Sequence, residues 1–188
     1  MVWLATYKLS KRPEWFTGLA RRLPGQRFVM CGVIPAPPLT RQAHDAALAV
    51  AAECPNLEVR GFIEHERLGE LYRDASLFVH TSPAEGFPNT VLEAWAWGLP
   101  TVTAVDPDGI ILRNGLGDVV NTLDELVASV TRLMADPAAR RAVGVRARAY
   151  AAEHHAPDAV YDQLAALLDG VVAKVRVRRG RHGAQRSR

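Results

Sequence analysis

Apolar residues along this chain alternate between short continuous runs and longer stretches in which they recur at helical spacing. The runs VWLAT (2–6), RFVMC (27–31), LEVRG (57–61), SLFVH (76–80), PTVTAV (100–105) and DVV (118–120) are rich in β-branched and aromatic residues and predict six strands. Most are apolar on both faces, as strands buried in a parallel sheet are, whereas LEVRG carries two charges and is placed nearer an edge. Between the runs, 13–23, 40–53, 65–74 and 90–97 read as helices, with Pro13 and Thr40 suited to first turns. Beyond Asn121 the pattern is wholly helical, over 123–135, 137–153 and 157–172, the last with Val160, Leu164, Leu167, Leu168 and Val171 in an apolar stripe. This alternation predicts parallel β-α-β units: an α/β fold, a single Rossmann-like three-layer domain over residues 1–175 with a parallel sheet and C-terminal helices.

Composition leaves that reading in place. A chain of 188 residues with 48% hydrophobic and 23% charged content suits one globular domain. No run approaches the roughly 18 apolar residues needed to span a bilayer, and the stretch before the first charge is too short for a secretory leader, so a cytoplasmic protein is expected. Cys31 and Cys54 have no paired spacing and are expected to be small buried residues in a reducing compartment. The net charge of +3 hides an asymmetry: seven Lys or Arg and no acid fall in 174–188, leaving 16 basic against 20 acidic residues in the body. The tail, 176–188 as a segment, is either a solvated end or a contact with an anionic membrane surface at the inner face. It has no aromatic residue to stack on bases, which argues against nucleic acid.

Doubly wound sheets bind ligands where strands end and helices begin. The segment after SLFVH has the residues for it. Gly86 permits close backbone approach, Pro88 stiffens the turn, and Asn89 or Thr90 suits the cap of the next helix. Glu85 falls on the loop and Glu93 in the first helical turn, so that the two can flank one ligand. The two oxygens of a carboxylate match a vicinal diol, and the loop amides between them suit a diphosphate. Plainer readings stand beside this one: Thr90-x-x-Glu93 fits a capping box, Glu85 alone fits a solvated acid, and Gly86 with Pro88 fit an ordinary turn. His80, at the end of its strand, is either a cleft contact or a satisfied core position.

The whole string, Glu85-Gly-Phe-Pro-Asn-Thr-Val-Leu-Glu93-Ala closing with Gly98-Leu-Pro100 and another strand, resembles the E-x7-E signature of family 4 glycosyltransferases, enzymes of the two-domain GT-B fold. The resemblance covers roughly residues 2–175 and implies the C-terminal, donor-binding half of a retaining enzyme whose substrate is a nucleotide-diphosphate sugar. It implies that Glu93 binds the ribose hydroxyls, that Glu85 acts at the transferred sugar, and that the backbone of Gly86, Phe87, Pro88, Asn89, Thr90 and Val91 lines sugar and diphosphate. It further implies that the Gly61-Phe62-Ile63 turn meets the base and that Gly32 floors the cleft. Family members carry an Arg and, five residues on, a Lys in the loop after the first strand. Here Lys11 takes the lysine position, Thr6 stands where the arginine is commonest, and Lys8 is the candidate replacement. Fixed cations stabilise the departing diphosphate more than the ground state, so neither metal nor cofactor is expected; Asp106-Pro107-Asp108-Gly109 reads as a turn.

The resemblance also implies an acceptor-binding N-terminal domain or partner subunit, which the last helix of the family crosses back to cover. The first strand begins at residue 2, where another domain would normally end. The alternative, from a different class, is a non-catalytic Rossmann-like module that uses the exposed stripe of its last helix for protein association.

Overall fold

The computed structural model describes residues 1–36, 41–158, 160, 161, 165 and 168. Two compact units are distinguished, Met1–Ala149 and Tyr150–Arg188. The elements are β1 (Val2–Leu4), α1 (Pro13–Arg22), β2 (Phe28–Cys31), α2 (Gln42–Glu53), β3 (Leu57–Val59), α3 (Leu68–Arg73), β4 (Phe78–His80), α4 (Asn89–Ala96), β5 (Thr101–Thr103), α5 (Ile110–Asn114), β6 (Gly117–Val119), α6 (Leu123–Ala135) and α7 (Pro137–His154). Every predicted strand is present, and all pair in parallel in the order β3-β2-β1-β4-β5-β6. The charged strand LEVRG is an edge strand, as its composition required.

Alternation along the strands divides the core between two faces. On one face Trp3, Met30, Val79 and Val102 pack with Phe16 and Leu19 of α1, Ala43 and Ala47 of α2, and Leu126 and Val130 of α6. On the other, Phe78 meets Tyr72 of α3 with ring centroids 6.2 Å apart, and the Trp95 indole of α4 donates to Thr101 Oγ1 at 3.0 Å. Buried Trp and Tyr need such partners for their polar ends.

Two helical readings change. The 65–74 helix opens with a 3-10 turn at His65–Arg67 and becomes α-helical only from Leu68. Helix α5 was not anticipated. It has five residues, and the Asp106 carboxylate fixes its start by accepting from the amides of Ile111 (2.8 Å) and Leu112 (3.3 Å). Of the last helix, residues 157, 158, 160, 161, 165 and 168 are helical, with Val160 46% and Leu168 55% exposed. Thr40, the rest of the 157–172 stripe and the basic tail lie outside the described residues.

The strand order positions the site. The chain proceeds from β1 toward β2 and β3 on one side, and from β4 toward β5 and β6 on the other. Parallel neighbours β1 and β4, in register at Val2 and Phe78, therefore flank the point where the winding reverses. In sheets of this kind the loops leaving the C-terminal ends at such a point diverge, which is where a ligand is expected.

Candidate functional site

The two loops at the reversal are residues 5–12 after β1 and 81–88 after β4, and core side chains stitch them together. The buried Trp3 indole donates to Thr81 Oγ1 at 2.8 Å, and the Thr81 hydroxyl donates in turn to the Lys11 carbonyl. Tyr7, wholly buried, donates its amide to the Val33 carbonyl and its phenol to the Arg60 carbonyl, each at 2.9 Å, tying the first loop to the end of β3. Within this frame the Lys11 ammonium pairs with Glu85 Oε1, with side chains 26% and 22% exposed. Burial acts to raise the Glu85 pKa, but hydrogen bonds from Lys11 and then Ser82 outweigh it and hold the carboxyl below its usual value. His80 lies beside the pair, its Nε2 3.9 Å from Glu85 Oε1. Burial pushes its imidazole down to about 4, with Glu85 opposing and Lys11 reinforcing the shift.

Glu93 sits in α4, which starts one residue earlier than the sequence suggested. Pro88 is the N-cap, and its carbonyl accepts from the amides of Val91 (3.0 Å) and Leu92 (3.3 Å). Asn89 and Thr90 are thus helical residues, and neither caps the helix by its side chain. Displaced from the terminus, Glu93 does not complete a capping box: its Oε2 accepts from the Tyr72 phenol at 2.8 Å. Burial, then the hydrogen bond and charge of Glu93, push the Tyr72 phenol far above its ordinary range.

Along the loop between the two acids, a Cβ added to Gly86 would meet nothing within 4 Å. Phe87 turns its ring edge-on to Trp95, with centroids 5.9 Å apart, and anchors the loop. Val91 and Pro88 are buried and the Val91 amide is spent on the Pro88 carbonyl, whereas Gly86 and Asn89 are exposed and Phe87 and Thr90 partly so.

The remaining candidates are more dispersed. Lys8 is exposed, with no ion pair among the described residues. Gly32 is where β2 passes closest to the first loop: a Cβ there would stand 1.6 Å from the Ala5 carbonyl oxygen, so its need for glycine is internal to the fold. Its amide donates to the Gly61 carbonyl at 3.1 Å. Ile63, with Arg60, exposed Phe62, Glu64 and Arg67, lines a cleft of about 440 Å³ beside β3. No group of three or more His, Cys, Asp or Glu able to hold a metal occurs among the described residues. No helix among them is long and apolar enough to cross a membrane. Cys31 is buried and its thiol pushed up to about 11, chiefly by burial.

Sequence reasoning passed over Trp3, Tyr7, Tyr72, Thr81 and Thr103. The available signal was general: a Trp or Tyr set in a buried strand or helix has a polar end that must find a partner.

The family described as "Glycosyl transferases group 1" matches residues 4–136. No curated protein matches the chain. Among solved structures, sucrose-phosphate synthase from Thermosynechococcus elongatus superposes with a TM-score of 0.77 at 20% identity, over 92% of this chain and 46% of that one. Anabaena HepE in complex with UDP-glucose gives 0.72 at 18% identity, over 90% and 48%. The pneumococcal O-GlcNAc transferase GtfA in complex with UDP and GlcNAc gives 0.68 at 16%, over 91% and 35%. The chain therefore spans less than half the length of these proteins, with which it shares a fold.

Proposed function

The chain belongs to the group 1 glycosyl transferases, and on that premise we propose that it is the C-terminal, donor-binding half of a retaining family 4 enzyme of the GT-B type. The observation that carries this reading is the pairing of Lys11 with Glu85 across the two loops at the winding reversal, the expected place for a ligand in such a sheet. The donor is a nucleotide-diphosphate sugar. Glu93 accepts from the ribose hydroxyls with the oxygen capacity Tyr72 leaves open. The backbone from Gly86 to Thr90, at a helix start that no side chain caps, receives the diphosphate. The base rests on the Gly61–Ile63 turn.

Glu85 contacts the sugar to be transferred. When the bond between the anomeric carbon and the diphosphate oxygen breaks, negative charge grows on the departing phosphate. The Lys11 ammonium, assisted by Lys8, stabilises that charge without a metal ion. An entering donor first draws Lys11 from Glu85, releasing the carboxylate to the sugar.

The acceptor is held by an N-terminal domain or a partner subunit, and the chain by itself transfers no sugar. The basic tail suits contact with anionic lipid. Calorimetric titration of the full chain with UDP, GDP, ADP and their hexose conjugates tests the reading. Binding of one nucleotide series supports it, and no heat from any of them refutes it.

A further inference from the structure

His80 ends β4 and is 5% exposed, yet only one of its ring nitrogens has a hydrogen-bond partner among the described residues. Its Nδ1 stands 3.2 Å from Thr103 Oγ1. The same hydroxyl donates to the Val105 carbonyl at 3.0 Å and accepts from the Val105 amide at 3.1 Å. A hydroxyl has a single proton. With that proton on the Val105 carbonyl, the remaining contact is a hydrogen bond only if Nδ1 carries a proton and donates it to Thr103. Nε2 is then a bare lone pair.

That lone pair faces Glu85 Oε1 at 3.9 Å. The separation is too long for a hydrogen bond, and neither atom has a proton to give. Lys11 serves Glu85, but among the described residues no donor lies against Nε2. Nε2 is not among the enclosed unpartnered atoms of the described residues, so a ligand hydroxyl can reach it and donate to it.

We infer that His80 is a specificity-determining residue of this site: its Nε2 accepts from one hydroxyl of the transferred sugar while Glu85 accepts from the neighbouring one. The inference rests on the donor-site reading above and adds a second acceptor to it. Glu85 by its two oxygens can already meet adjacent hydroxyls, and a neutral acceptor beside it extends the reading to a further position on the sugar. A neutral imidazole suits the task, because it accepts without adding charge near the diphosphate; burial keeps this ring neutral at pH 7. The Thr103 contact matters because the opposite tautomer would present a donor.

The test combines nitrogen-15 NMR of the full chain with titrations of UDP and UDP-glucose. We expect Nδ1 protonated and Nε2 unprotonated at pH 7, with the Nε2 resonance moving on addition of UDP-glucose and not of UDP. His80→Leu should bind UDP as the wild type does and lose roughly three- to tenfold in affinity for UDP-glucose, the worth of one hydrogen bond to a neutral acceptor. His80→Gln, whose amide oxygen accepts in a similar place, should recover part of the loss. An Nε2-protonated ring, or a His80→Leu chain that binds UDP-glucose as tightly as wild type, overturns the inference while leaving the donor site intact. Failure of UDP, GDP and ADP alike to bind overturns the donor-site reading and this inference with it; should GDP or ADP bind in place of UDP, the same comparison is made with that nucleotide and its hexose conjugate.

Discussion

Glu93 is held by Tyr72, a residue of a different helix, and not by the terminus of its own: the phenol donates to Oε2 at 2.8 Å. The contrast with Glu125 shows why. Thr122-x-x-Glu125 has the same local pattern as Thr90-x-x-Glu93, and there the pair caps its own helix, Glu125 reaching back one residue past the N-cap. Thr122 Oγ1 accepts from the Glu125 amide at 3.1 Å, and Glu125 accepts from the Asn121 amide at 2.7 Å. Helix α4 instead starts at Asn89, so Thr90 falls inside the first turn and Glu93 is left to a partner across the fold.

Tyr72→Phe should therefore affect ligand binding more than folding. The ring keeps its place against Phe78, but Glu93 loses the donor that orients it. A fall of about tenfold in UDP-glucose affinity is expected, the lower end for a hydrogen bond to a charged group, with an unfolding midpoint in urea close to wild type. An unchanged affinity would mean that Glu93 needs no such support.

Gly32→Ala should do the reverse. A Cβ 1.6 Å from the Ala5 carbonyl oxygen cannot be accommodated without moving β2 or the loop bearing Lys11. Overpacking and backbone strain together predict a loss of about 3 kcal/mol in stability, measurable by urea denaturation. The absence of a side chain here lets two backbones meet.

The two lysines of the first loop should separate. Lys11 is partly buried and paired with Glu85, and Thr81 fixes its backbone, whereas Lys8 is exposed. Lys11→Met is expected to weaken UDP binding about tenfold and Lys8→Met by less than about threefold, since solvent screens an exposed charge. Equal losses would place Lys8 fully in the role of the arginine that Thr6 lacks.

The buried imidazole also makes stability depend on pH. His80 has its pKa lowered from 6.5 to about 4 by burial, so between these values the unfolded chain binds a proton that the folded chain refuses. Stability contributed by the neutral ring is fully present above pH 6.5 and is lost as the pH falls toward 4. Between pH 7 and pH 5 the loss amounts to about 2 kcal/mol. His80→Leu should flatten that part of the profile in denaturation measured at both pH values, and an unflattened profile would assign it to other groups.

What the residues announced and what they withheld follow a physical line. Buried parallel strands are short apolar runs bounded by polar residues, so β1 to β6 could be read directly, and the charges of LEVRG marked the edge. Five residues of α5 make too few turns to show a period, and a carboxylate four residues upstream sets its start. Glu85 and Glu93 were visible because one loop and the helix it enters hold them in a local string, and Lys11 because the loop after the first strand resembles the family's basic loop. Tyr72, Thr81 and Thr103 were not, because their hydrogen bonds join residues 21, 70 and 23 positions apart, and contacts at such separations leave no spacing to recognise.

The most direct test of the account is to titrate UDP and UDP-glucose into the wild-type chain, Glu93→Ala and Glu85→Gln. If Glu93 clasps the ribose, Glu93→Ala weakens both ligands alike, by roughly tenfold or more for hydrogen bonds to a charged group. If Glu85 contacts the transferred sugar, Glu85→Gln weakens UDP-glucose alone. Wild-type affinity for both ligands in both variants would contradict the account.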